Sequence, residues 1–199
     1  MTEQADTRER ILDVAQRLVQ HRGYHAVSYK DVGEQLGIRN ASIHYHFPSK
    51  ADLGLALVRR YRERLQVTLA ALDVLSSPAE RLSRFVDAYR DVVRDDGRVC
   101  LCTVLAAEDP ALPETLRPEV RAFLDFNERW LARVLAEGRA EGELRFDGSP
   151  EAAAAAFLAT LEGAMLLARS AHDPARFDLV VRHATAALHA ARFFQGASP

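Results

Sequence analysis

Residues 28–50, SYKDVGEQLGIRNASIHYHFPSK, constrain the fold more tightly than any other stretch of the chain. Ser28 is placed to cap a helix, with Asp31 at its third position, and Val32 and Leu36 give that helix a short apolar stripe. Gly37 permits a tight turn, since it carries no Cβ to resist a left-handed backbone. Arg39 or Asn40 then opens a second short helix, in which Ile43 and Phe47 point inward and which Pro48 stops. Ser49 caps the helix that follows, with Asp52 three residues on and Leu53, Ala56 and Leu57 facing inward. Two short helices across a tight turn, the second one polar on its outer side, form the layout that places a helix in the major groove of DNA.

The surrounding chain reads as helical throughout, with no sustained strand alternation. Upstream, Asp6 is a candidate cap, and Ile11, Leu12, Ala15, Leu18 and Val19 make one apolar face that Gly23 ends. Downstream, the helix begun at Ser49 is expected to reach about Ala71, and another to run from Pro78 to about Arg94. Asp95, Asp96 and Gly97 break the pattern. A short helix is expected over Cys102–Glu108, a long one over Glu114–Glu141, a loop over Gly142–Pro150, and two last helices over Glu151–Ser170 and Pro174–Phe194. The expected fold is all-α: a three-helix helix-turn-helix domain at 1–50 joined to a helical domain at 51–199, with the junction inside the fourth helix.

Composition limits the partners. The chain has 199 residues, 48% of them apolar, a formal net charge of -2 and a pI of about 6.4. A strongly basic coat protein is excluded, and any DNA contact must come from a local patch. The first fifty residues carry seven Lys and Arg against six Asp and Glu, so the residue pattern and not bulk charge has to support the claim. Two cysteines, Cys100 and Cys102, are no disulfide framework and suit a reducing cytoplasm. The N-terminus has no apolar core of a secretory signal. The apolar run from Ala152 to Ala168 carries Glu162, and we read it as a buried helix or a helix–helix interface, not a membrane span.

Within the helix-turn-helix, Ile43 and Phe47 would anchor the second helix on Leu12, Val32 and Leu36. Arg39, Asn40, Ser42, His44, Tyr45 and His46 are then the candidates for its outer side. Arg39 and Asn40 can make directional hydrogen bonds to bases or phosphates. The hydroxyls of Ser28 and Tyr45 and the ammonium of Lys50 suit phosphate oxygens. His44 and His46 form an HxH pair, but residues two apart on a helix point to different sides and do not chelate easily, so no metal is expected. A three-helix module of this kind could also be a protein-interaction domain without DNA binding.

The residues at this point resemble a TetR/AcrR-type transcriptional regulator. The match lies in Ile11 and Ala15, Gly23 and Tyr24, then Ser28, Val32, Leu36, Gly37, Ile38, Ser42, Ile43, Tyr45, Phe47, Ser49, Lys50 and Leu53, and it covers roughly the first 55 residues. His44 is a departure, because the family usually has a tyrosine there, at a site that typically touches phosphate. The resemblance implies binding to double-stranded operator DNA, a C-terminal domain that takes a small-molecule inducer, and a homodimer through the last two helices. A two-fold dimer implies a roughly palindromic operator. Release of the operator would follow binding of a small molecule or reaction with an electrophile, since some similar regulators with cysteines in this region respond to reactive electrophiles. No cofactor is implied.

The candidate ligand residues are Phe85, Tyr89, Cys102, Phe123, Phe126, Asn127, Trp130 and Glu162. The aromatic residues share helical spacing, so both core and cavity roles are open to them. Glu162, among Leu161, Met165 and Leu166, must be paired, exposed or functional; pairing with an arginine, a place at an interface and anchoring of a ligand are the readings open to it. For the cysteines one reading is a thiol acidified at a helix N-terminus; the other is a buried small hydrophobe. If that segment is helical the two thiols face different sides, against a mutual disulfide. The alanines at 152–156, 184, 186, 187, 190 and 191 allow close helix approach, with Phe157, Leu161, Leu188 and Phe193 supplying burial, either between subunits or within one. The chain shows no Glu-x-x-His pair, phosphate loop or nucleophile–base constellation, and is therefore not expected to be an enzyme.

Overall fold

The computed structural model describes residues 3–189. Nine α-helices and one short 3-10 turn account for the regular structure of the described residues, in the order α1 (Glu3–Arg22), α2 (Tyr29–Leu36), α3 (Asn40–His46), α4 (Lys50–Leu72), α5 (Pro78–Arg94), α6 (Leu101–Ala107), α7 (Arg117–Ala140), α8 (Pro150–Ala171) and α9 (Ala175–Ala187), with the 3-10 turn at Asp109–Ala111.

Helix boundaries follow local hydrogen bonding. At the start of α2 the Ser28 N–H donates to the Asp31 carboxylate at 2.8 Å, and the Asp31 N–H donates to Ser28 Oγ at 3.3 Å. Ser49 and Asp52 repeat this reciprocal pair at the start of α4, at 2.9 and 3.2 Å. Each pair satisfies two backbone donors that a helix start leaves open. The α2–α3 turn passes through Gly37 at φ 66°, a left-handed conformation that glycine adopts without strain.

Three boundaries differ from the sequence reading. Helix α1 is already formed at Glu3, so Asp6 lies inside it and does not cap it. Helix α7 begins at Arg117, not Glu114, because residues 114–116 form a turn in which the Leu116 N–H donates to Pro113 O at 3.0 Å. Helix α9 ends at Ala187 in a tight turn, where the Leu188 N–H donates to Thr185 O and Leu188 O accepts from the Arg145 N–H at 2.7 Å. The expected continuation through Ala190, Ala191, Phe193 and Phe194 lies outside the described residues.

Packing builds two layers that share one core. Ile11, Leu12, Ala15, Val32, Ile43 and Phe47 close the N-terminal three-helix unit, and the same apolar cluster runs on to Leu188. Helix α4 spans both layers, packing on α1 at one end and on α5, α6 and α7 along its length. Arg60, only 8% exposed, staples α4 to α1: its guanidinium donates to Glu9, Asp13 and Gln16 at 2.9–3.1 Å. In the C-terminal half α8 packs mainly on α7 and α9. Helix α8 is long and apolar enough, by length and composition alone, to cross a membrane, but Phe157, Leu158, Leu161, Ala164, Met165 and Ala168 are buried inside the fold, as the reading of this run as a buried helix expects.

Candidate functional site

The helix-turn-helix presents one polar face. Ile43 is fully buried and Phe47 nearly so, and together they hold α3 with its opposite side outward. Arg39, the residue before α3, and Asn40, Ser42, His44 and Tyr45 are all exposed, with Tyr45 71% accessible. His46 is half-buried, its ring edge-on to Tyr45 at 5.2 Å. Ser28 is exposed at the start of α2.

The expected contact residues are not equally free. His44 packs edge-on against Tyr29 with ring centroids 4.6 Å apart, and its Nδ1 lies 3.2 Å from Pro48 O. Its ring is therefore held in place by contacts within the protein. Lys50 is half-buried: its ammonium donates to His25 O at 3.2 Å and sits 4.6 Å from the centre of the Tyr24 ring. Burial holds its pKa below the ordinary lysine value. Two phenols do the bracing: Tyr24, which the sequence reading named only as part of the family match, and Tyr29, which it did not name. The Tyr29 hydroxyl donates to Phe47 O at 2.7 Å and so ties the end of α3 to the start of α2, and the Tyr24 hydroxyl donates to Lys50 O at 3.0 Å and so ties the start of α4 to the α1–α2 turn. Burial pushes both phenols up to about 12.

In the C-terminal half, seven of the eight expected ligand residues enter the core. Phe85, Tyr89, Cys102, Phe123, Asn127, Trp130 and Glu162 are buried, and Phe126 is partly exposed. Phe85 stacks on Trp130 at 5.2 Å and leans on Tyr89 at 5.1 Å. Trp130 donates its indole N–H to Asp73 at 2.9 Å, which Arg133 also engages, so its polar end is already satisfied. Phe126 and Trp130 line a groove of about 390 Å³ between α4 and α7, together with Leu69 and Arg129.

Glu162 is the most unusual group. It does not pair with an arginine; the Tyr89 hydroxyl donates to its Oε1 at 3.2 Å, and its Oε2 has no hydrogen-bond partner. Burial holds its carboxyl above the ordinary glutamate pKa, while nearby Thr103, Cys100 and Tyr89 pull the other way. Asn127 is fully buried with its Oδ1 unpartnered, its Nδ2 donating to Phe123 O at 3.2 Å. Tyr61, absent from the sequence reading, joins this group by stacking on Phe123 at 5.2 Å. A single tyrosine in a mixed helical stretch carried no signal that would have found it.

The thiols depart from one of their two readings. Cys100 and Cys102 are both free and buried, and burial drives both pKa values well up. Cys100 sits at the start of α6, but that helix is only seven residues long, and desolvation outweighs the pull of its N-terminus. Neither thiol is acidified as a reactive sensor would be. Among the described residues no group of three or more His, Cys, Asp or Glu side chains could hold a metal ion.

Comparison with known proteins agrees with both halves. Residues 11–57 match the family described as bacterial regulatory proteins, tetR family, and residues 78–184 match the tetracyclin repressor-like C-terminal domain. The chain is 33% identical over 152 residues to the transcriptional regulator AcuR of Cereibacter sphaeroides, covering 74% of this chain and 69% of that protein. It is 25% identical over 164 residues to the transcriptional repressor DhaR of a Mycobacterium species, covering 80% of each. The crystal structure of a TetR-family transcriptional regulator from Agrobacterium tumefaciens superposes with a TM-score of 0.90 at 39% identity, covering 94% of this chain and all of that one.

Proposed function

Because this chain belongs to the TetR family of bacterial regulatory proteins, whose members are ligand-responsive DNA-binding transcription regulators, we propose that it is a homodimeric, cytoplasmic repressor of a palindromic operator, released by a small molecule. It acts by binding and not by catalysis. The observation that carries this reading is the face of α3, where Arg39, Asn40, Ser42 and Tyr45 are exposed over a buried Ile43. Arg39 and Asn40 stand at the N-terminal end of α3, the end that a recognition helix turns toward base edges. Ser28, Tyr45 and His44 flank it as phosphate donors. Lys50 joins them with the donors that its bond to His25 O leaves free, since an ammonium carries three N–H groups.

We divide the chain into a DNA-binding unit at 1–50 and a ligand-binding and dimerisation unit at 51–199, with the first turn of α4 as the joint. The second subunit would dock on α8 and α9. Leu166, Leu167 and Leu179 on these helices are 36%, 49% and 62% exposed, an apolar expense that a second copy would remove. The inducer would enter among Phe85, Tyr89, Cys102, Phe123, Phe126, Asn127, Trp130 and Glu162. Non-covalent binding is favoured over thiol modification, because both thiols are buried and unactivated. A ligand that prefers one spacing of the two α3 helices shifts the dimer between DNA-binding and released states.

Selection of duplex fragments by the purified protein, followed by affinity measurement at two salt concentrations, tests the reading. The expected result is enrichment of a two-fold symmetric sequence with affinity that falls steeply as salt rises. No enriched duplex and no salt-sensitive affinity, with the dimer intact, would leave a protein-interaction module in its place.

A further inference from the structure

The turn between α1 and α2 is held from far away in the chain. The carboxylate of Glu108, immediately after α6, accepts the N–H of Tyr24 through Oε1 at 3.0 Å and the N–H of His25 through Oε2 at 3.1 Å. The His25 ring lies alongside, its Nε2 3.8 Å from Oε2. Gly23, at φ 89°, leaves the space for this approach: a Cβ there would meet Glu108 Oε1 at 2.2 Å. The other end of α6 grips the same part of α1. Gln20 donates to Val99 O at 2.9 Å, just before α6, while Gln20 O accepts from Arg169 of α8 at 3.2 Å. Both ends of α6 are thus bonded to the last turn of α1 and the turn that follows it.

That turn leads straight to the DNA-facing surface. Tyr24 bonds Lys50 O at the start of α4, His25 O receives the Lys50 ammonium, and Ser28 caps α2. The opposite end of α6 carries Cys102 and Thr103 toward Tyr89 and Glu162 in the buried polar core. A carboxylate accepting two backbone N–H groups makes charge-assisted bonds of fixed direction, stronger than neutral ones.

We propose that Glu108 is a positioning residue for DNA binding: its carboxylate locks the α1–α2 turn to α6, and so sets the angle at which Arg39 and Asn40 meet the groove. The proposal rests on the regulator reading above. A displacement of α6 passes to the helix-turn-helix through this carboxylate, because the two N–H bonds cannot lengthen without being lost.

Electrostatics and positioning give opposite signs when the charge is removed. Glu108→Gln deletes a negative charge near a polyanion, which by charge alone strengthens DNA binding. It also leaves one acceptor oxygen where the carboxylate has two, which by positioning weakens it. The experiment uses full-length wild type, Glu108→Gln and Glu108→Ala with a duplex selected by the wild type. Hydrogen exchange is read at the Tyr24 and His25 amides and across α7 and α8. The expected result is exchange at the two amides faster by roughly tenfold, affinity lower by roughly three- to tenfold for Gln and more for Ala, and protection in α7 and α8 unchanged. Affinity equal to or above wild type in Glu108→Gln overturns the proposal, as does unchanged exchange at Tyr24 and His25. If Glu108→Ala does not fold, Glu108→Gln decides alone. A wild type that selects no duplex overturns the regulator reading and the proposal with it; a wild type that binds while both variants bind equally well removes only the latch.

Discussion

The two halves of this protein treat polar groups in opposite ways. Around α3 the polar side chains stand in solvent and the apolar ones, Ile43 and Phe47, are buried beneath them. Around α6, α7 and α8 the polar groups Tyr89, Asn127 and Glu162 are themselves buried, and two of their acceptor oxygens lack partners. The first arrangement costs little until a partner arrives, since water satisfies every donor. The second carries a standing desolvation cost, of about 1–3 kcal/mol for each buried group left unsatisfied. A surface that meets DNA can stay solvated while it waits. If the core takes the inducer as proposed, the molecule that enters it would relieve a group stored there unsatisfied.

The largest break in this comparison comes from removing the apolar support of the exposed face. Phe47→Ala should destabilise the fold by about 3–5 kcal/mol, read as a lower midpoint in denaturant unfolding, and should abolish duplex binding. A midpoint within experimental error of wild type would mean that α3 does not rest on this ring. Truncating the exposed face itself should do the reverse. Arg39→Ala should cost about 1–3 kcal/mol of duplex affinity while leaving the unfolding midpoint nearly unchanged, because its side chain is exposed and, in the proposed complex, its hydrogen bonds go to DNA. Loss of stability with no loss of affinity would place Arg39 in the fold and not at the interface.

Smaller effects sharpen the contrast. Ser49→Ala should cost about 1 kcal/mol of stability, since the Asp52 N–H loses its acceptor at the start of α4. Amide exchange in the first turn of α4 should rise, and an unaltered rate there would count against the cap. Glu162→Gln tests the buried half through pH. Folding raises the pKa of Glu162, so the folded state binds a proton more tightly than the unfolded chain does. Stability from this group is therefore full below the ordinary glutamate pKa, and declines as pH rises through the interval up to the raised folded value. The glutamine variant should match wild type at acid pH and gain on it toward neutral pH. Parallel stability curves for the two proteins would show that folding does not raise the pKa of Glu162.

The sequence by itself determined the N-terminal unit well. Ser28 with Asp31, Ser49 with Asp52, Gly37 and Pro48 act across at most three or four residues, so their effect on helix starts and stops can be read from neighbours alone. The same locality placed α5, expected from Pro78 to about Arg94 and found at Pro78–Arg94, through Pro78 and the break at Asp95. Asp6 shows the limit of the method, because a capping pattern is not a cap when the helix starts earlier. Which residues faced inward in the C-terminal half was legible from spacing, and what they met there was not. Only tertiary structure decided that Glu162 has a phenol and no arginine, that Cys100 and Cys102 are desolvated, that Tyr61 joins the aromatic core, and that Lys50 folds onto Tyr24 and His25. Only packing, too, brought Glu108 to the N–H groups of residues 84 and 83 positions earlier. A cap is a bond between neighbours on one helix, whereas burial, charge state and long-range pairing depend on which helices come together, and no local pattern encodes that.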